Sequence, residues 1–156
     1  MTLEGLNEDF RDVIAVLADS GVQFMIVGAY ALAFHGAPRA SGDIDLFIRP
    51  SPENANRVFE ALTQFGAPLA AHGVTPSDFA REGTVYQIGL APRRIDVLTK
   101  ISGVAFDEAW ATCVEAEVIG RKVHVIGRDA FVKNKLAAAR PKDLADVARL
   151  RKNREG

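Results

Sequence analysis

The sequence has only one cysteine, Cys113, among 156 residues. An intramolecular disulfide is therefore excluded, and the few histidines do not complete a cluster with the spacing of a zinc site. No window reaches the roughly 18 apolar residues of a membrane span, and the N-terminal stretch MTLEGLNEDFRDV lacks the apolar segment of a secretory signal. We therefore expect a soluble, cytoplasmic protein without a membrane partner.

An excess of charge is also missing, because 19 Lys and Arg residues balance 20 Asp and Glu residues. The net charge of -1 demands neither nucleic acid nor an acidic membrane as partner, although a local basic patch remains compatible with it. Domains commonly span roughly 100 to 200 residues. We expect a single domain over residues 1–156, with a core at about 7–127 and closing helices at about 128–152.

Apolar periodicity divides the chain into helical and extended segments. It predicts helices over 7–20, 29–36, 51–66, 106–115, 128–140 and 141–154, and a loop with room for a short helical turn over 67–83. Strands are predicted for VQFMIV, DIDLFIR, TVYQIGL, RRIDVLT, AEVIG and KVHVIG, of which the last four suit two hairpins. This order predicts an α/β (α+β) fold, in which a mixed β-sheet is flanked by helices and followed by a C-terminal helical segment.

Two carboxylates, Asp43 and Asp45, stand one residue apart in the otherwise apolar strand DIDLFIR. Side chains alternate along a strand, so both face the same way, with Cα atoms roughly 6 to 7 Å apart. A third carboxylate, Asp96, interrupts the apolar run RRIDVLT and joins the pair if the two strands are neighbours. Three such groups suit a hard cation such as Mg²⁺, which they can bind together with substrate phosphates. Two ions about 3.5 to 4 Å apart can activate a hydroxyl and stabilise a leaving pyrophosphate.

Gly28 ends one predicted strand and begins a short helix, a position where free backbone N–H groups favour a phosphate. Arg39 and Ser41, just before the aspartates, can add a charged or hydroxyl contact. His35, at the end of the short helix, is expected to pack or cap. Lys133, Lys135, Arg140 and Lys142 either steer a nucleotide or RNA, or form a solvated helix face.

Asp143 and Asp146 are expected early in the last helix, where they favour its dipole and pair with neighbouring basic residues.

The segments VGAYALAFHG, RASGDIDLF and RIDV resemble the polymerase-beta type of the nucleotidyltransferase superfamily. The C-terminal KNKLAAARPKDLADVARL is similar to the closing helices of AbiEii-like toxin nucleotidyltransferases of bacterial toxin–antitoxin systems. The resemblance implies the polymerase-beta-like fold. It also implies that Asp43, Asp45 and Asp96 are catalytic metal ligands, with Asp96 in addition the general base toward the acceptor hydroxyl.

The same resemblance implies five nucleotide-binding positions: Gly28, Ala29, Arg39, Ser41 and Lys135. Gly28 and Ala29 correspond to the phosphate-binding turn. The family pattern has Gly or Ser where this sequence has Ala29, so a backbone N–H remains but a hydroxyl contact is lost.

The activity that the resemblance implies is transfer of NMP from an NTP to a hydroxyl of tRNA or protein, with two Mg²⁺ ions or Mn²⁺ as cofactor. The protein would be a toxin with a cognate antitoxin as partner. A small-molecule acceptor such as an antibiotic stays open. So do a phosphodiesterase and a nucleotide-binding or protein-interaction module without turnover, the last favoured by Ala29 and the short chain.

Overall fold

The computed structural model describes Leu3 and residues 5–155, with side chains through residue 153. Seven helices and six strands follow one another along this part of the chain. Their bounds are α1 Glu8–Asp19, β1 Phe24–Val27, α2 Gly28–Phe34, β2 Asp43–Ile48, α3 Pro52–Phe65, α4 Pro76–Ala80, β3 Val85–Ile88, β4 Arg94–Leu98, α5 Phe106–Thr112, β5 Val114–Val118, β6 Arg121–Val125, α6 Arg128–Ala138 and α7 Pro141–Glu155.

The strands form one mixed sheet in the order β3-β4-β2-β1-β6-β5. Strand β2 runs parallel to β4, and β1 runs parallel to β6. The central pair β1–β2 is antiparallel, as are the hairpins β3–β4 and β5–β6. The prediction of a mixed sheet flanked by helices, with a C-terminal helical segment, is therefore confirmed.

The two longest helices before the C-terminal segment begin at residues whose side chains cap them. The Asn7 side chain accepts a hydrogen bond from the backbone N–H of Phe10 at 2.9 Å, and Ser51 caps α3 ahead of Pro52. Each helix buries one apolar face in a continuous core with the inner face of the sheet. Burying a side chain such as Leu62 completely stabilises the fold by about 1.5 to 3 kcal/mol.

One local prediction is confirmed and one needs correction. The short helix α4 lies within the predicted loop, where room for a short helical turn was expected, and Thr75 and Asp78 form a capping box around Pro76. The predicted helix over 106–115 ends at Thr112, and β5 begins earlier than expected, because Val114 pairs with Val125 of β6. Sheet pairing thus overrides the helical pattern at this boundary.

Within the described part of the chain, no helix is both long and apolar enough to cross a bilayer.

Candidate active site

The register of the central strands brings the three predicted carboxylates together. Asp45 of β2 lies opposite Asp96 in the parallel partner β4, and Asp43 lies two residues before Asp45 on the same face. One oxygen from each of these three side chains lies within 4.8 Å of the others. The neighbouring side chains of Ile44 and Leu46 are fully buried in the core. The strand thus presents its acidic face to the site and its apolar face to the core.

Gly28 lies beside the carboxylate cluster, on the side of β2 that pairs with β1. Its predecessor Val27 lies opposite Asp45 in β1, so the chain turns into α2 directly beside that carboxylate. Gly28 has φ +71°, and a Cβ at this position would lie 2.2 Å from Oδ2 of Asp45. Both the backbone conformation and the contact make a side chain at this position unfavourable. The turn therefore leaves the Asp45 carboxylate room that any other residue would remove.

Mutual repulsion and burial perturb the ionisation of the cluster. Burial raises the pKa of Asp45 to about 8, and the neighbouring carboxylates of Asp43 and Asp96 contribute to the increase. Burial also raises the pKa of Asp96, against the hydrogen bond from Arg94. For Asp43, burial is outweighed by hydrogen bonds with the other two aspartates and with Ser41, so its pKa is lowered. The three groups do not all carry charge at neutral pH unless a cation joins them.

This donor set fits a hard divalent cation. Three carboxylates with convergent oxygens are the ligands that Mg²⁺ and Mn²⁺ take in proteins. A cationic group already lies against them, because the Arg94 guanidinium contacts both Asp43 and Asp96. Its Nη2 donates to Asp43 Oδ2 at 3.2 Å, and its Nε donates to Asp96 Oδ1 at 3.0 Å. Arg94 was not among the predicted site residues, although its position two residues before Asp96 places both on one strand face.

Two buried aspartates of α7 hold the cationic side chains of the site. Asp143 and Asp146 are 0% and 1% exposed. The Lys135 ammonium lies between them, 3.3 Å from Asp143 Oδ1 and 3.4 Å from Asp146 Oδ2. Arg39 binds Asp146 through two nitrogens, at 2.7 and 3.0 Å, and Arg140 binds Asp143 at 2.7 Å. The predicted pairing with neighbouring basic residues is confirmed for Asp143, while Asp146 reaches a partner 107 positions earlier.

The remaining predicted positions lie around the cluster. The Ser41 hydroxyl donates to the backbone oxygen of Asp43 at 2.9 Å, which fixes the start of β2. Ala29 is buried in the first turn of α2. His35 donates from Nε2 to the Ile126 carbonyl at 2.7 Å, so the expected packing role is confirmed.

Two clefts meet at Asp45, and both are also lined by Lys135 and Arg140. The larger cleft, of about 580 Å³, has an apolar wall formed by Val85, Leu98 and Ile101. The second, which we call the basic cleft, has a volume of about 330 Å³. Five cationic side chains line the basic cleft: Arg39, Lys135, Arg140, Lys142 and Arg149. The apolar wall was not predicted from the sequence, because β3 and β4 become one side of a cleft only after the chain folds.

The mixed sheet with three convergent aspartates beside a glycine turn matches the arrangement that the resemblance to nucleotidyltransferases predicts. Residues 12–156 match the sequence model of the family described as "Nucleotidyl transferase AbiEii toxin, Type IV TA system". The chain belongs to this family, and it is a nucleotidyltransferase. The predicted resemblance is thus confirmed.

One solved structure supports the fold independently. The crystal structure of a candidate nucleotidyltransferase from Thermotoga maritima has a TM-score of 0.56 with this chain at 15% sequence identity. The similarity covers 91% of this chain and 88% of the Thermotoga chain. No curated protein sequence matches this chain.

Proposed function

We propose that the protein transfers NMP from an NTP to a hydroxyl group of RNA and releases pyrophosphate, and that Asp43, Asp45 and Asp96 hold the required divalent cations. The observation that carries this proposal is the convergence of the three carboxylates at the junction of two clefts lined by cationic side chains. Following the family description, the protein would act in the cytoplasm as the toxin of a toxin–antitoxin pair and would have a cognate antitoxin.

The three carboxylates would bind the cations, and one of them would also accept a proton. When bound, two Mg²⁺ ions, or Mn²⁺, would supply Lewis-acid stabilisation of the attacking and leaving oxygens. Asp96 would accept the proton of the acceptor hydroxyl, and its raised pKa suits a group that takes up a proton during the reaction. The single Ser41 hydroxyl proton is shared between the backbone oxygen of Asp43 at 2.9 Å and Oδ1 of the same residue at 3.2 Å, so Ser41 would position Asp43 as a metal ligand rather than contact phosphate itself.

The larger cleft would bind the NTP. Its volume of about 580 Å³ lies within the range of small-molecule sites, roughly 300 to 1,000 Å³. Val85, Leu98 and Ile101 would pack against the base and sugar, while the triphosphate would extend toward Lys135 and the backbone N–H groups at Gly28 and Ala29. An ammonium carries three N–H donors, so the two aspartates leave Lys135 a donor for a phosphate oxygen.

The basic cleft would bind the acceptor. Lys142 and Arg149 are exposed there and have no ion-pair partner among the described side chains. The Arg39 guanidinium is paired with Asp146, so its N–H groups on that side are not free to bind a phosphate. Asp43, Asp45 and Asp146 also line this cleft, and Arg39, Lys135 and Arg140 are paired with the aspartates of α7. The unpaired positive charge therefore comes from Lys142 and Arg149, which suit a phosphate backbone better than a neutral protein loop. This favours RNA, including tRNA, over a protein or antibiotic acceptor.

A labelling experiment tests the acceptor class. The protein is incubated with Mg²⁺, each α-labelled NTP and a cell extract, and RNA, protein and small molecules are then separated. We expect label in the RNA fraction, and binding of that RNA should weaken steeply with salt because phosphate contacts release counterions. Label in protein or in an added aminoglycoside would reassign the acceptor. Release of labelled nucleotide without incorporation would indicate a phosphodiesterase.

Ala29 favours a second candidate, a nucleotide-binding module that keeps the fold without turnover. The family pattern places Gly or Ser here, and alanine supplies no hydroxyl to a phosphate. Calorimetry with Mg²⁺ and each NTP, combined with a pyrophosphate assay over RNA, protein and small-molecule acceptors, separates the two functions. Binding without pyrophosphate release under every condition would favour the module.

A further inference from the structure

Every carboxylate oxygen of Asp43 and Asp96 already has a partner within the protein. Both oxygens of Asp96 accept hydrogen bonds from Arg94, at 3.0 and 3.3 Å. Oδ2 of Asp43 accepts from the same guanidinium at 3.2 Å, and Oδ1 accepts from the Ser41 hydroxyl at 3.2 Å. A divalent cation that uses these oxygens must therefore share them with Arg94 or displace it.

We propose that Arg94 is the resident counterion of the carboxylate cluster, which holds Asp43 and Asp96 in place before a cation binds and weakens cation binding by competing for the same oxygens. This inference rests on the proposed function, because it requires that the cluster bind a divalent cation. Arg94 is thus a positioning residue, since it acts through the two aspartates. It sets the cation concentration at which the enzyme becomes loaded.

The position of Arg94 allows this exchange. It is the first residue of β4, and 35% of its side chain is exposed, so the guanidinium can swing into water. Asp96 is held more tightly, with 10% of its side chain exposed. A guanidinium offers one charge spread over a plane, whereas a divalent cation brings two charges to a point. The cluster can therefore exchange one counterion for the other while its carboxylates stay in place.

The neighbouring Arg93 provides a matched control. Its guanidinium lies 3.3 Å from Asp9 Oδ2 in α1, and 57% of its side chain is exposed. Arg93→Gln removes the same formal charge one residue away without touching the described contacts of Asp43 or Asp96. A difference between the two variants therefore measures the local contact rather than the net charge of the protein.

The test is Mn²⁺ binding to the full chain by isothermal titration calorimetry at low salt. We expect Arg94→Gln to bind Mn²⁺ at least about tenfold more tightly than the wild type, and Arg93→Gln to stay within about threefold. Arg94→Lys keeps the charge but not the forked contact, so its affinity for Mn²⁺ should fall between those of the wild type and Arg94→Gln. In metal-free buffer, Arg94→Gln should also melt at a lower temperature than the wild type, because the two carboxylates lose their counterion.

Equal or weaker Mn²⁺ binding by Arg94→Gln, with the wild type binding normally, would overturn the inference and leave the proposed function intact. If neither the wild type nor any variant binds Mn²⁺, the metal site itself is wrong, and the inference fails with it. If Arg94→Gln does not fold, Arg94→Lys decides the matter, since competition predicts tighter binding than wild type and a supporting role predicts weaker binding.

Discussion

Asp45→Asn is expected to stabilise the metal-free protein while it removes a ligand of the site. Burial and the charges of Asp43 and Asp96 raise the pKa of Asp45 to about 8 in the folded protein, whereas an unfolded aspartate ionises near roughly 4. Below about pH 4 both states hold the proton. As the pH rises toward 8, only the unfolded state loses it, so Asp45 costs increasing folding free energy.

The size of the effect follows from the distance between these two pKa values. At about 1.4 kcal/mol for each pH unit above the unfolded pKa, the cost is about 1.4 kcal/mol at pH 5 and about 4 kcal/mol at pH 7. Water in the open cleft reduces this cost by solvating the Asp45 carboxylate and screening its neighbours. We therefore expect Asp45→Asn to gain about 1 to 4 kcal/mol of unfolding free energy at pH 7 and less at pH 5.

Urea denaturation followed by circular dichroism, with EDTA present, measures this gain at both pH values. Glu60→Gln, at an exposed position of α3, is the control for removal of one charge elsewhere. Added Mg²⁺ should stabilise the wild type but not Asp45→Asn. Equal stability of the two proteins at pH 5 and pH 7, or a less stable Asp45→Asn at pH 7, would refute the reasoning about the cluster.

Three further predictions concern the rest of the site. Asp146→Asn should lose about 2 to 4 kcal/mol of unfolding free energy at pH 7, because the buried carboxylate holds two cationic side chains. The pKa of Asp146 is lowered by these partners despite burial, so its contribution should be complete above roughly pH 4 and shrink as the pH falls below that value in urea titrations. Gly28→Ala should lower the free energy of unfolding by at least about 2 kcal/mol, because of left-handed backbone strain and the clash of its Cβ. Gly21→Ala is the control, since Gly21 has the same φ of +71° but nothing within 4 Å of a Cβ. It should lose only the part that comes from backbone strain in the same urea titrations. Replacing Lys142 and Arg149 with glutamine should weaken RNA binding and reduce the salt slope by about two, measured by fluorescence anisotropy over a salt series, and an unchanged slope would argue against the basic cleft.

Much of the fold is legible in the sequence because the periodicities are strong. The capped helices at Asn7 and Ser51 and both hairpins follow from local signals. The boundary between α5 and β5 was predicted wrongly because Val114 is fixed by pairing with Val125, a contact that local propensity does not contain. The short helix α4 shows the reverse, since a short helical turn was expected in this loop and the local capping box of Thr75 and Asp78 fixes where it begins.

The candidate site likewise combines residues that local sequence patterns predict with residues that only the folded chain brings together. The grouping of Asp43, Asp45 and Asp96 is predictable from strand alternation once the two strands are taken as neighbours. The partner of Arg39 is not, because Asp146 lies 107 residues away and only the packing of α7 brings it close. Arg94 lies between these cases, since its position relative to Asp96 is local but its contact with Asp43 depends on the register of β2 and β4.

Pyrophosphate release, with Mg²⁺, NTP and the RNA fraction of a cell extract, tests the central claim most directly when the wild type is compared with the Asp43→Asn plus Asp45→Asn double variant. We predict release by the wild type that depends on Mg²⁺ and falls to background in the double variant, with circular dichroism confirming that the variant is folded. Undiminished release by the double variant would contradict the proposed role of the carboxylates.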